Sequence, residues 1–301
     1  MLLITLDSTF MIRTFEIEEK VSLLNINPNR QIKQCIIHFM GNLSKIGRIF
    51  YGIAIAVLGF LTIYYNDFPY MLIPPNHFWM KGLVIFAYIS GGLLFLAGAC
   101  IVFGVKPMLI SLLLGSVLLL VFCFYYIPYE FKASSNYMHF GEWENAAKEL
   151  ALAGGAFAIA GCFSKKNESG LIRLLQKLIP LGAILFSLTI ISFGMDHYIY
   201  AKEASDYIPS WVPSHLFWMY FTGSALLGSG IAILLKIKPG LSAALLGTMI
   251  FIWFIILHLP RVIVSPAVEM GNEVASACLA LAYCGIAFVI SGTTKRIAKE
   301  K

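Results

Sequence analysis

The chain has 301 residues, of which 59% are hydrophobic and 13% charged, with a net charge of +6. Water-soluble domains carry about a quarter charged residues, so this composition excludes an ordinary soluble enzyme and points to a membrane protein. The positive balance reflects membrane orientation, and nucleic-acid binding is not expected.

Residues 1–43 come first and differ in kind from the rest. The stretch FEIEEKVSLLNINPNRQIKQCIIHFM mixes charges with apolar residues. It reads as a cytoplasmic or interfacial extension holding one amphipathic helix at about 31–40. MLLITLDSTF lacks the basic start and long apolar centre of a secretory signal, so insertion is expected to be directed by the first true span.

Apolar windows of about 20 residues, the length that crosses roughly 30 Å of hydrocarbon, then follow at about 46–65, 83–104, 107–128, 146–163, 177–198, 217–236, 239–259 and 274–292. Runs such as SLLLGSVLLLVFCFYY do not alternate in polarity, which rules against barrel strands. The expected fold class is therefore an all-α, polytopic membrane protein with eight transmembrane helices.

The windows fall into two sets. SGGLLFLAGACIVFGVKPMLISLLLG at 90–115 matches TGSALLGSGIAILLKIKPGLSAALLG at 222–247 with a constant offset of 132. Lys106-Pro107 pairs with Lys238-Pro239, and Pro128 with Pro260. Later, LALAGGAFAIAG meets LALAYCGIAFVISG, with Glu142 against Glu273 at an offset of 131. The chain reads as two four-helix repeats, 44–163 and 177–293, joined by a cytoplasmic linker at 164–176 and ending in a basic tail at 294–301. An even number of spans per copy makes the repeats parallel.

Orientation follows from the basic residues. With a cytoplasmic N-terminus, the inner segments hold 17 of the 22 Lys and Arg, so both termini are expected inside and anionic membrane lipid is the expected surface partner. The six cysteines form no C-x-x-C pair and read as packing residues, which argues against a membrane dithiol oxidoreductase.

This topology gathers five of six histidines on the outer side: His77, His139, His197, His215 and His258. IPSWVPSHLFWMYFTG at 208–223 lies there, with a fainter echo, FPYMLIPPNHFWM, at 68–80. Pro209 and Pro213 stop a helix, while Trp211 and Trp218 suit an interfacial aromatic belt. The same stretch could instead form a stiffened lid over a small site. The second repeat is the better equipped, with Asp196 and His197 ending one span, His215 opening the next, and His258 with Arg261 flanking Pro260. Glu273 opens the last span. Tyr126 and Tyr129 occupy the positions of His258 and Arg261 in the first repeat. Together with Trp253, these residues form the candidate outer-face cluster.

Three histidines and a carboxylate would suit zinc or iron, but they come from different loops without H-x-x-x-H or E-x-x-H spacing, so no metal is expected. Haem ligation needs histidines within spans, whereas His197 and His258 sit at span ends. No phosphate loop, dinucleotide fingerprint or nucleophile elbow occurs. A quinone-like ligand asks for less: an apolar slot open to lipid, an imidazole or phenol for a carbonyl, and an acid for protons.

GMDHYIY, then IPSWVPSHLFWMYFTGSALLGSG, then a Lys-Pro turn and two further spans, resembles the DoxX-like family of bacterial inner-membrane proteins. The resemblance covers about 181–292, departing at Tyr198 and Ile208, and more weakly 46–163. It singles out Gly194, His197, Pro209, Trp211, Pro213, His215, Trp218 and Gly223. It implies a redox-associated, quinone-contacting membrane subunit with a redox partner protein, akin to the small membrane subunit of thiosulfate:quinone oxidoreductase. The alternative is a non-catalytic scaffold or small-solute carrier. A carrier requires a polar cavity at mid-membrane, and the mid-span residues read from the sequence are Ser, Thr and Gly without an acid or base, which favours the scaffold of the two.

Overall fold

The computed structural model describes residues 28–69, 72–73, 84–132, 140–164, 168–267 and 271–299, without side chains at 28–38, 141–142 and 294–299. The chain divides into two compact units, 1–41 and 42–301, and the second holds the helix packing and the candidate site.

Every regular element among the described residues is helical: α1 (Pro28–Tyr65), α2 (Val84–Phe103), α3 (Pro107–Lys132), α4 (Glu144–Cys162), α5 (Gly170–Gln176), α6 (Leu181–Ile199), α7 (Ala201–Ser205), α8 (His215–Leu234), α9 (Pro239–Val264) and α10 (Asn272–Lys299). The amphipathic helix expected at 31–40 falls within the bounds of α1. Among the described residues, seven helical stretches are long and apolar enough to cross a bilayer: Phe39–Tyr65, α2, α3, Gly170–Ile199, α8, α9 and Asn272–Thr293. The protein is thus a polytopic, membrane-type helical protein. The window expected at 146–163 is not among the seven, because Lys148 and Glu149 stand in its first half, Glu144 and Asn145 lead into it, and weakly apolar Ala and Gly make up much of the rest.

Burial explains that difference. In the most apolar 18-residue stretch of each span, 83% of the residues are buried in α10 but only 22–28% in α2, α3 and α9. Residues 151–160 of α4 are all buried as well. The central pair, α4 and α10, pack against each other, with α3 and α6 also on α4 and α9 also on α10. A helix shielded by other helices needs less hydrophobicity than one facing lipid tails, and it needs small residues for close approach. α4 meets both conditions with LALAGGAFAIAG at 150–161.

Glycines set the crossings. A Cβ on Gly154 of α4 would lie 2.8 Å from the Gly182 carbonyl of α6, and one on Gly155 would lie 2.5 Å from Ile286 of α10 and 2.8 Å from the Tyr51 ring. On the other side, a Cβ on Gly285 of α10 would stand 2.5 Å from the Gly47 carbonyl of α1. α1 thus packs on α10 and α6 packs on α4, so helices from the two chain halves interleave. Tyr51, fully buried, donates its hydroxyl to the Leu152 carbonyl of α4 at 2.7 Å. Replacing Tyr51 by Phe is expected to cost about 1 kcal/mol, since the carbonyl keeps its helical partner. Thermal unfolding in detergent checks this, with exposed Tyr64→Phe as the unchanged control.

Local conformations recur 132 residues apart. Lys106 and Lys238 are both left-handed, at φ 43° and 42°, each followed by Pro at the first helical position. Gly104 and Lys236 are left-handed too, and the next amides, Val105 and Ile237, bond back to Cys100 and Ala232. This is the Schellman closure of a helix end. Pro128 and Pro260 do not end their spans as expected. Each follows a π turn, Phe122–Tyr126 and Phe254–His258, in which the amides of Ile127 and Leu259 reach back five residues to Phe122 and Phe254. A proline lacks the amide that an α-helix would use there, and the extra residue of a π turn absorbs the mismatch.

Candidate functional site

The stretch at 208–223 folds as an ordered corner. The Val212 amide bonds to the Pro209 carbonyl at 2.9 Å, and Ser214, left-handed at φ 56°, precedes α8. His215 turns its Nε2 back to the Pro209 carbonyl at 3.2 Å. Ile208 and Val212 bury beneath, in an apolar cluster with Ala201 and Met219 that Trp218, Trp253 and Ile256 flank. The Trp218 and Trp253 rings meet edge to face at 5.9 Å. Trp211, by contrast, is 69% exposed. Ser210, Val212, Pro213, Ser214, His215, Leu216 and Phe217 line an open surface recess. The two prolines and His215 therefore build the corner itself, and Trp211 projects away from it.

The remaining predicted residues separate into two groups. The first joins α9 to α10. Arg261 donates from Nε to Glu273 Oε2 at 2.7 Å and from Nη2 to Glu273 Oε1 at 2.5 Å, a bidentate pair with side chains 32% and 15% exposed. The guanidinium also lies over the Tyr207 ring, 4.6 Å from its centroid. Arg261 stands in the last turn of its helix and Glu273 in the first turn of the next, the placements that each helix dipole favours. His258 closes the π turn and interacts electrostatically with both partners. With both oxygens engaged, Glu273 acts as an anchor for Arg261 and not as a free proton acceptor.

The second group lies where α6 meets α4 and α8. His197 places Nδ1 2.7 Å from the Phe193 carbonyl; donation there fixes the tautomer and leaves Nε2 as an acceptor. Its Cβ lies against Gly223 of α8. Asp196 interacts with Glu144 and Lys148, which pair at 2.7 Å, and its buried Oδ1 has no hydrogen-bond partner. Among the described residues, no hydrogen bond or ion pair joins the two groups, and no trio of His, Cys, Asp or Glu is arranged to hold a metal ion. His77, His139 and Glu269, most of the echo at 68–80, and the Glu142 side chain lie outside the described residues.

Several residues escaped the sequence reading. Tyr207 and the Glu144–Lys148 pair are surface partners without a motif. Glu149, in the second turn of α4 and outside the mid-span positions read from the sequence, was not singled out; it is 1% exposed with Oε2 unpartnered. Its signal was present: 146, 149, 153, 156 and 160 follow the three-four spacing of one helix face, on which every other residue is Ala.

No family model, curated protein or solved structure matches the chain.

Proposed function

We propose that the chain is a DoxX-like, eight-span protein of a bacterial inner membrane, built as two parallel four-helix repeats with both termini cytoplasmic. In this reading α4 is the eighth span; its 19 residues rise about 28 Å, and spans on either side shield it from lipid. The recurring turns at 104–107 and 236–239 and the two π turns support the duplication.

Within that frame, the protein works as a redox-linked, quinone-contacting membrane subunit whose polar site lies at the periplasmic rim of the second repeat. One observation carries this reading. The two π turns occupy equivalent places, yet one ends in Tyr126, which is fully buried, and the other in His258, which interacts with Arg261 and Glu273. π turns within helices are frequent at functional positions. In this reading the His258 imidazole, next in the chain to the nearly half-exposed Leu259 and three residues from Ile255, hydrogen-bonds a quinone carbonyl.

Organic extraction and an absorbance spectrum of the detergent-purified protein test the proposal. A quinone is expected to co-purify and to be lost on His258→Ala, with the fold retained. A colourless protein without extractable quinone would replace this reading with the scaffold.

A further inference from the structure

Glu149 is an acid withdrawn from solvent inside the helix packing. It sits five residues into α4, about 7.5 Å below the start of the helix, and is 1% exposed with Oε2 unpartnered. From α10, Tyr283 approaches between Phe186 and Phe193 of α6, its hydroxyl likewise buried without a hydrogen-bond partner, and it interacts with Glu149 and Glu144. From α1, Tyr51 interacts with Glu149 while its hydroxyl is given to Leu152. From α6, Thr189 is bonded to the Ala147 carbonyl, and the Ser187 hydroxyl is buried and unpartnered. On its own helix, Lys148 is held by Glu144 and Asn145.

No cation is therefore committed to Glu149. An isolated carboxylate withdrawn from water costs several kcal/mol, and such a group is stable when it carries a proton. Packing does not require the acid. On the duplicated reading proposed above, the equivalent of Glu149 is Ala280 and that of Tyr283 is Leu152, both buried apolar residues at an offset of 131. One repeat fills this layer with apolar side chains, while the other places a carboxyl and a phenol there.

We propose that Glu149 and Tyr283 form a proton-binding site in the protein-enclosed centre of the bundle, loaded and unloaded from the outer rim through Asp196 and Glu144. Glu144 is 45% exposed, Asp196 holds a buried, unpartnered oxygen next to it, and both lie toward the outer end from Glu149. The step is a bare proton transfer. The neutral Glu149 carboxyl gives its proton to water admitted from the rim, that water protonates the Asp196 carboxylate two turns beyond Thr189 on α6, Asp196 passes a proton on beside Glu144 to bulk water, and the Tyr283 hydroxyl turns to donate to the carboxylate left behind. Nothing is oxidised or reduced. Buried acids in membrane bundles serve as relays of this kind.

Infrared spectroscopy of the full chain in lipid tests the site. The expected spectrum contains the carbonyl band of a neutral carboxylic acid in an apolar setting at neutral pH, lost in Glu149→Gln and retained in Glu273→Gln. Its exchange in heavy water should slow roughly tenfold or more in Asp196→Asn. Should Glu149→Gln fail to accumulate, Glu149→Ala, which copies Ala280, carries the same comparison, and Tyr283→Phe must shift the band. A Glu149→Gln spectrum superposing on the native one overturns the proton site. An exchange rate unchanged in Asp196→Asn overturns the route. Quinone extraction from Glu149→Gln is expected to match the native protein, so failure of this site and failure of the quinone reading are separate results.

Discussion

Gly285→Leu is expected to prevent the protein from accumulating as a monodisperse species, while Gly228→Leu leaves it folded. At Gly285 the added Cβ alone would meet the Gly47 carbonyl at 2.5 Å and the Tyr51 amide at 2.9 Å. These are backbone atoms of α1, which cannot swing aside as a flexible side chain would. One extra methylene in a packed interior costs about 1–3 kcal/mol, so Gly285→Ala should lie in that range and Leu beyond it. At Gly228 nothing lies within 4 Å of an added Cβ, and the side chain would extend toward lipid. Gly154→Leu should repeat the Gly285 result, since its Cβ would press on the Gly182 carbonyl and the Phe186 amide of α6 at 2.8 and 3.0 Å. Thermal unfolding and size-exclusion profiles in one detergent check the series. Equal behaviour of the 285 and 228 variants would disprove the close α1–α10 crossing.

The second large effect concerns the Arg261–Glu273 pair. Arg261→Ala leaves the Glu273 carboxylate, only 15% exposed, without its two charge-assisted bonds. Removing one partner of a fully buried pair costs about 3–5 kcal/mol; with one side chain a third exposed, solvent screening lowers the expected loss to about 2 kcal/mol. Glu273→Ala should lose a similar amount, and the double variant less than the sum, with a coupling of about 1–2 kcal/mol. The pair joins the end of α9 to the start of α10, so proteolysis between 264 and 272 should accelerate in both single variants. Additive losses in the double-variant cycle would show that the two side chains do not act together.

The membrane class was legible because length and hydropathy fix it: seven of the eight windows read from the sequence recur as helices apolar enough to span. α4 shows what hydropathy conveys poorly. A helix enclosed by protein is selected for smallness, and in the central pair the run of Ala and Gly was a better guide than mean hydropathy. The Lys-Pro turns were legible because proline at a helix start has one dominant use. The π turns were not, since Pro128 and Pro260 were read as helix ends, and only the backbone shows a wider turn absorbing the missing amide. The outer-face cluster was read as one group because its members share a level in the membrane. Rotation about each helix axis then divided it, turning Asp196 and His197 toward α4 and α8, and Arg261 toward α10. Glu149 was passed over because one acid among alanines barely lowers a window average, although its register placed it on the buried face.

Both the quinone site and the proton site require the chain to cross the membrane so that 208–214 and 265–271 emerge on one side and 104–106 and 235–238 on the other. Cysteine labelling in sealed vesicles tests this most directly, on a chain whose six native cysteines are replaced and which carries Lys106→Cys, Ser210→Cys, Lys236→Cys or Ser265→Cys singly. An impermeant maleimide should label positions 210 and 265 in intact right-side-out vesicles, and 106 and 236 only after permeabilisation. Labelling of 106 or 236 together with 210 in intact vesicles would contradict it.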